Sequence, residues 1–294
     1  MTKSANSIFG QNQNTHKPML NFSIPTRILG NVLLLLLVVV TLLPIVLAVL
    51  YSFIPSETVL NIRSIDDVTE NVTMQGFRDV FRLTPFLRIM GNSVFVSLVS
   101  TVLQLAVSFI TAYALTHWDY PGRDIVFGFI IIVMIIPSVA LFIPNYLIVS
   151  NLGMVNKFSG VIVPWIANAY GIFLMRQFFS MVPKSLIEAC RIDGGNELRI
   201  LVHVYLPICM PAIAALFIIL FVANWNDYQW PMLILQKPEM MTLPRALVQF
   251  RFEGVVEWMP TAAACLMTMV PVLLAYLLMQ KQIVETFASS AMKE

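Results

Sequence analysis

The feature that most constrains this chain is the apolar stretch at residues 28–53, which contains no charged side chain. A helix of about 20 apolar residues is long enough to cross the hydrocarbon core of a bilayer. Lipid offers no hydrogen bonds to the backbone, so a lone segment can cross only as a helix. We therefore predict a membrane-spanning helix here, and an integral membrane protein.

Five further apolar segments follow, and we predict that each is a span. Apolar residues make up 58% of the chain and charged residues 12%, against about half and a quarter in soluble domains. This composition excludes an ordinary soluble protein, and the net charge of +2 is too small to suggest a nucleic-acid partner. We expect an all-α membrane protein with about six transmembrane helices. The five segments are residues 92–116, 125–149, 158–179, 208–235 and 260–279. We expect Pro137 and Pro144 to break the 125–149 segment and residues 224–227 to interrupt the 208–235 segment.

The polar segments set the expected organisation of the chain. Residues 1–27 and 281–294 are predicted to be polar tails, and residues 54–90 a polar connection that includes a short amphipathic helix. Six spans place both termini on the same side. With the N-terminus inside, ten Lys and Arg residues lie inside and eight outside, so charge orients the chain only weakly.

Catalytic and metal-binding patterns are missing from the sequence. No GxxxxGK[ST] loop is present, so we expect that the chain does not itself hydrolyse ATP and carries no cofactor. Gln104 lies inside the second span, where we predict a hydrogen bond between helices. The cysteines show no metal-ligand spacing and are expected to be small buried hydrophobes: Cys190, Cys209 and Cys265. The histidines are isolated and are expected on the surface or in loops: His16, His117 and His203.

The loop at residues 182–207 is unusually charged for a connection between spans. Pro183 suits the start of a helix, and Gly194 and Gly195 suit its end. We predict one short helix before these glycines and a second from residue 196 to 205. On spacing alone, the loop is either a solvated amphipathic connection or a docking surface. Its charged residues are Lys184, Glu188, Arg191, Asp193, Glu197 and Arg199.

The spacing of the same loop matches a known motif. Glu188-Ala189-Cys190 is followed after three residues by Gly194, and after nine more by Val-Tyr-Leu-Pro at residues 204–207. This pattern resembles the EAA loop of bacterial ABC importer permeases, which reads Glu-Ala-Ala, three residues, Gly, nine residues, Ile-any-Leu-Pro. Cys190 replaces the second Ala and Val204 replaces Ile, and both changes are small and apolar.

The resemblance covers roughly residues 92–279 and is strongest to the second permease subunit of maltose-type sugar importers. Residues 152–156, 171–179 and 224–231 also carry it. It implies a type I ABC importer permease fold with its transmembrane domain at residues 91–280, in the bacterial inner membrane with both termini cytoplasmic. The implied partners are a homologous permease, two cytoplasmic ATPase subunits that bind the ATP, and an extracytoplasmic solute-binding protein that delivers a sugar.

By this resemblance the loop is a coupling helix that docks on the ATPase. Glu188 is expected to contact the ATPase, and the alternative is an internal pair with Arg191 three residues later. Gly194 is expected to provide the turn between the two short helices, a structural role that coupling also requires. The residues expected to couple the loop to the ATPase are Glu188, Ala189, Cys190, Asp193, Gly194, Leu206 and Pro207.

A polar and aromatic cluster near residue 226 is the candidate substrate pathway. Ionisable residues at membrane depth are functional candidates, and aromatic rings suit sugar faces. The alternative is an interfacial aromatic belt. The candidate pathway residues are Trp225, Asn226, Asp227, Tyr228, Asn145 and Asn168.

Other functions remain open at this point. A permease for a non-sugar solute, such as glycerol phosphate, a polyamine or an amino acid, is the main alternative. A secondary transporter would need paired intramembrane charges and internal repeats. A membrane-embedded enzyme would need a convergent catalytic set. Neither pattern is visible in the sequence.

Overall fold

A computed structural model describes residues 24–55, 58–59, 61, 65–249 and 258–291. The predictions for residues 1–23 and 250–257 lie outside this part of the chain. Within the described residues the regular structure is helical. The helices are α1 (Ile24–Phe53), α2 (Ile65–Glu70), α3 (Gln75–Leu83), α4 (Phe86–His117), α5 (Arg123–Ile135), α6 (Phe142–Asn151), α7 (Phe158–Ile162), α8 (Ala169–Phe179), α9 (Lys184–Ile192), α10 (Glu197–Ile200), α11 (Leu206–Ile208), α12 (Met210–Asn226), α13 (Gln229–Ile234), α14 (Leu243–Gln249) and α15 (Trp258–Ala291).

Three single helices among the described residues are long and apolar enough to cross a membrane. They are Ile28–Phe53 within α1, Phe86–His117, and Trp258–Leu278 within α15. Three bent pairs bring the number of candidate crossings to six, if each pair is one span. The prediction of an all-α protein is confirmed, and about six spans agree with this range.

Two of the three bent pairs have an identifiable local feature at the bend. Arg123–Ile135 and Ser138–Asn151 meet at 98° across Pro137, which adopts the extended backbone that ends a helix. Pro144 falls in the first turn of α6, where its missing N–H breaks no helical bond, so it does not interrupt that helix. Phe158–Trp165 and Ala169–Phe179 meet at 46°, and the side chain of Asn168 caps the second of these helices.

The predicted interruption of the fifth span at residues 224–227 is confirmed. Helix α12 ends at Asn226 because Asp227 is extended, at φ −69° and ψ 121°. The Asp227 carboxylate then accepts a bond from the Trp230 N–H at 3.4 Å, which helps a separate short helix to begin. At the other end, α15 continues to Ala291, into the segment predicted as a polar tail from residue 281.

Helix α4 lies at the centre of the core of residues 48–291. It packs against α8 and α12, and it also contacts α3 and α14. The amide of Gln104 donates to the Trp165 carbonyl at 3.0 Å and accepts from the Asn224 amide at 2.9 Å. The same Asn224 amide donates to the Thr101 hydroxyl at 3.1 Å. The predicted helix–helix hydrogen bond of Gln104 is therefore confirmed, and it joins α4 to α12.

The predicted amphipathic helix is α3. Val80 is fully buried on one side of it and Phe81 is exposed on the other. The helix packs on α15, and Gly76 allows the close approach because a Cβ there would lie 3.0 Å from the Met259 carbonyl oxygen. The buried side of α3 belongs to the apolar cluster that also holds Trp225.

Candidate functional site

The first helix of the 182–207 loop, α9, begins directly after Pro183 and ends at Ile192, with Asp193 as its C-cap. Gly194 takes the left-handed conformation at φ +77°, which glycine adopts without steric strain. The N–H of Gly195 donates to the Cys190 carbonyl at 2.8 Å, a bond that closes the helix end. The predicted first short helix and its glycine stop are confirmed.

The second helix begins after Asn196, whose side-chain oxygen accepts a bond from the Arg199 N–H at 2.9 Å. It passes through a π-helical turn at Leu201–Tyr205 and ends with Leu206–Ile208, which contains Pro207. The chain then bends by 76° into α12. Leu206 and Pro207 therefore lie at the bend between the loop and the next span.

The loop has one side against the body and one side open. Ile187 and Ile200 are buried in the apolar cluster with Tyr205. Ile192 is 86% exposed and Leu198 is 67% exposed. Apolar side chains exposed on a polar segment are typical of surfaces that bind another protein.

Glu188 and Ala189 are exposed, and Cys190 is half-buried beside Gly195. The alternative interpretation of Glu188, an internal pair with Arg191, is wrong. Arg191 pairs with Glu197 at 2.9 Å, and within the described residues Glu188 has no ion pair within 4.0 Å. The carboxylate of Glu188 is free to meet another protein.

A polar cluster fastens the loop to the end of α4. The hydroxyl of Tyr113 donates to Glu197 Oε2 at 2.6 Å, and Nε2 of His117 lies 2.8 Å from the same oxygen. Arg191 Nη2 lies 2.9 Å from Glu197 Oε1 and 2.8 Å from His117 Nε2. The Tyr205 hydroxyl faces His117 Nδ1 at 3.4 Å. These five residues are called the Glu197 cluster.

The expectation that His117 is an isolated surface residue is wrong. Its side chain is 2% exposed, and its ring stacks on that of Tyr113 with 4.6 Å between centroids. Sequence reasoning missed the cluster because its partners are 84 residues apart. The only local signal was the placing of Tyr113 and His117 four residues apart, on one face of a helix.

The substrate-pathway candidates differ in their surroundings. Trp225 is 3% exposed and packs against Phe221, so its ring faces are used within the chain. Tyr228 is 40% exposed and Asn226 is exposed, with its amide donating to the Val222 carbonyl at 2.9 Å. Tyr228 and Asn226 therefore keep polar atoms or ring surface available, and Asp227 has the structural task described above.

The other two asparagines proposed for the pathway, Asn168 and Asn145, lie at the start of α8 and in α6, and not in α12. Asn168 accepts a bond from the Gly171 N–H at 2.8 Å, so its side chain caps α8. Asn145 is half-buried in α6. Within the described residues, neither asparagine side chain makes a hydrogen bond to residues 225–228, and their part in a pathway stays a prediction.

An anchor at Asn156 was also missed from the sequence. Asn156 has a positive φ of 57°, and its side-chain oxygen accepts bonds from the N–H groups of Gln236 and Lys237 at 2.7 and 3.0 Å. Its own N–H donates to the Ile234 carbonyl at 2.9 Å. The turn after α6 is thereby tied to the end of α13.

Comparison with known families gives one match over most of this fold. The family described as "Binding-protein-dependent transport system inner membrane component" matches residues 104–284. This range includes the whole 182–207 loop and the spans on both sides of it.

Similar curated proteins come from glycerol-phosphate transport systems. The sn-glycerol-3-phosphate transport system permease protein UgpE of Pectobacterium atrosepticum is 34% identical over 209 residues, covering 70% of this chain and 74% of the relative. The UgpE protein of Shigella dysenteriae is 33% identical over 208 residues, with the same coverage.

Among solved structures, a chain from a bacterial ABC transporter involved in the import of the acidic polysaccharide alginate is 26% identical. The match has a TM-score of 0.77 and covers 89% of this chain and 99% of the other. A chain from the alginate transporter in complex with its alginate-bound periplasmic protein has a TM-score of 0.62 at 15% identity, and shows the fold alone.

Proposed function

Because the chain belongs to the family of inner membrane components of binding-protein-dependent transport systems, we propose that it forms half of the translocation pathway of an ATP-driven importer. The chain is an ABC importer permease of the carbohydrate-uptake type. A homologous permease supplies the other half, two ATPase subunits bind below, and a solute-binding protein delivers the substrate. The 182–207 loop faces the cytoplasm in this proposal.

The proposed contact with the ATPase is supported by the exposed side of the loop. Ile192 and Leu198 are largely exposed, and the Glu188 carboxylate has no ion-pair partner within the described chain. A protein partner could cover the exposed apolar side chains and pair with the Glu188 carboxylate. Docking there would let closure of the ATPase dimer displace α9 and α10.

The proposed substrate is a sugar or an oligosaccharide. The similar proteins carry names for transport of a glycerol phosphate and of an acidic polysaccharide. Both are hydroxyl-rich solutes with a negative charge, so a glycerol phosphate is the second candidate. Tyr228 offers a ring face, and Asn226, two residues earlier, is exposed. We propose that these two residues, and not the buried Trp225, contact the passing solute.

The test is Glu188→Lys in the complex reconstituted in proteoliposomes. The residue is exposed and makes no ion pair in the described chain, so the fold should not change. Truncating one member of a buried interfacial charge pair costs at least about 2 kcal/mol, so we expect at least about 30-fold weaker ATPase binding and little uptake. Co-purification measures the binding. Uptake is measured with glycerol 3-phosphate and with an alginate oligosaccharide.

Glu70→Lys is the matched control, since Glu70 is an exposed acid in the polar connection between the first two spans. It should bind the ATPase and transport normally. Normal uptake and ATPase binding in Glu188→Lys would contradict the proposal, because the loop would then be a plain connection. Uptake of only one of the two probes decides between the two substrate candidates.

A further inference from the structure

The Glu197 cluster connects segments of different kinds. Tyr113 and His117 lie in the last turns of the spanning helix α4, Arg191 lies at the end of α9, and Glu197 begins α10. In the proposed function, the exposed side of the loop binds the ATPase. The opposite side of the loop, which faces the spans, has no role in that proposal.

Apolar packing also holds the loop to the body. Ile187 and Ile200 pack in the cluster with Tyr205 and Phe179. Apolar packing has no preferred direction along a surface. The partners of the Glu197 carboxylate lie 2.6 to 2.9 Å from its oxygens, and charge-assisted hydrogen bonds at such distances are directional.

From this contrast we infer that the Glu197 cluster transmits displacement of the loop into α4, with Tyr113 and Glu197 as positioning residues. The inference rests on the proposed function, since it concerns motion driven by the ATPase. Helix α4 is suited to receive the motion because it packs on both α8 and α12. It also carries Gln104, which bonds to Asn224 of α12.

His117 gives the cluster two alternative bonding arrangements. Its Nε2 lies 2.8 Å from both Arg191 Nη2 and Glu197 Oε2. A ring nitrogen either accepts or donates a hydrogen bond, so Nε2 either accepts from the Arg191 guanidinium or donates to the Glu197 carboxylate. Coupling between two distant sites requires an element with two discrete arrangements whose equilibrium both sites change. Displacement of α9 favours one arrangement over the other.

The test variant is Tyr113→Phe, which removes one hydroxyl. The ring stays stacked on His117, and the Glu197 side chain is 46% exposed, so water replaces the lost donor and the fold is kept. In the reconstituted complex we expect the solute transported per ATP hydrolysed to fall about fivefold, as for the loss of one net hydrogen bond. ATPase binding should be unchanged. Tyr170→Phe is the control, since Tyr170 is 40% exposed and its hydroxyl has no hydrogen bond within the described residues.

A second measurement repeats Tyr113→Phe in a Glu197→Ala chain. If the hydroxyl acts through the carboxylate, the ratio in this background should fall no further. An additional drop, or an unchanged ratio in Tyr113→Phe alone, would overturn the inference. If Glu188→Lys loses ATPase binding and uptake while Tyr113→Phe couples normally, the proposed function stands and only the inference about the Glu197 cluster is overturned. Normal transport in Glu188→Lys removes the proposed function itself.

Discussion

At the scale of single residues, Gly160 shows how closely the helices approach. A Cβ on Gly160 would lie 2.4 Å from the Met154 carbonyl oxygen and 2.9 Å from Cγ2 of Ile234. The Gly160 carbonyl also accepts a bond from the Trp230 indole at 3.1 Å. Because one of these neighbours is backbone, the space cannot open by a change of side-chain rotamer.

We expect Gly160→Ala to destabilise the protein by about 2 kcal/mol, the usual cost of overpacking a core. Thermal unfolding in detergent, followed by the fluorescence of the tryptophans, measures the change. Gly128→Ala is the control, because Gly128 is a helical glycine with nothing within 4 Å of its Cβ position. Helix propensity predicts that Gly128→Ala is neutral or slightly stabilising. Equal melting temperatures for the two variants would show that the approach at Gly160 is looser.

The residue scale also shows that asparagines in this chain have different structural roles. Asn168 and Asn196 are helix caps, Asn224 joins two spans, and Asn226 remains exposed. A polar residue in an apolar segment predicts a hydrogen bond. It does not say whether the partner is the neighbouring turn, another helix or a solute, since that depends on what lies opposite in space.

At the scale of elements, the segment after α13 is held to the body at two places. Asn156 binds the N–H groups of Gln236 and Lys237. The amide of Asn92 donates to the carbonyls of Glu239 and Met241, both at 3.0 Å. These bonds tie the segment before α14 to the ends of α4 and α6.

Asn156→Gly should loosen this segment. Glycine keeps the positive φ without strain, so the variant removes only the side-chain acceptor. We expect the amides of Gln236 and Lys237 to exchange hydrogen about fivefold faster, the effect of losing one net hydrogen bond. Hydrogen–deuterium exchange with mass spectrometry of the peptide around these residues measures it.

Asn156→Asp is the matched variant, because aspartate keeps the acceptor oxygen and tolerates a positive φ. Its exchange should stay near that of the unchanged protein. If both variants exchange alike, the amides are protected by another part of the structure and the anchor has no role.

At the scale of the whole molecule, the number of crossings depends on the bent pairs. The pair Glu197–Ile208 and Met210–Asn226 bends by 76°, which also suits a segment that enters and leaves on the same side. If the pair is one crossing, the 182–207 loop and the segment at Lys237 face opposite sides of the membrane.

Cysteine labelling tests this arrangement. In a chain whose three native cysteines are replaced by alanine, Ile192→Cys should react with a membrane-impermeant maleimide only in inside-out vesicles. Lys237→Cys should react only in right-side-out vesicles, because both positions are exposed and one crossing separates them. Reaction of both from the same side would show that this bent pair does not cross. The reverse pattern would place the loop outside and contradict its docking on a cytoplasmic ATPase.

The sequence by itself determined the elements that depend on neighbouring residues. Uncharged apolar length predicted the spans, because a backbone in lipid must bond within its own segment. Proline and glycine spacing predicted both short helices of the 182–207 loop, since their caps are formed by adjacent residues. The EAA spacing led to the family that the comparisons show.

Only the tertiary structure decided which side chains meet across the chain. Arg191 has possible partners at Glu188 and Glu197, and the fold brings it to Glu197, beside Tyr113 and His117. Sequence spacing cannot rank these partners, because Tyr113 and Glu197 approach only when α4 and the loop pack together. The burial of Trp225 and the anchor at Asn156 depend in the same way on helices that are distant in sequence.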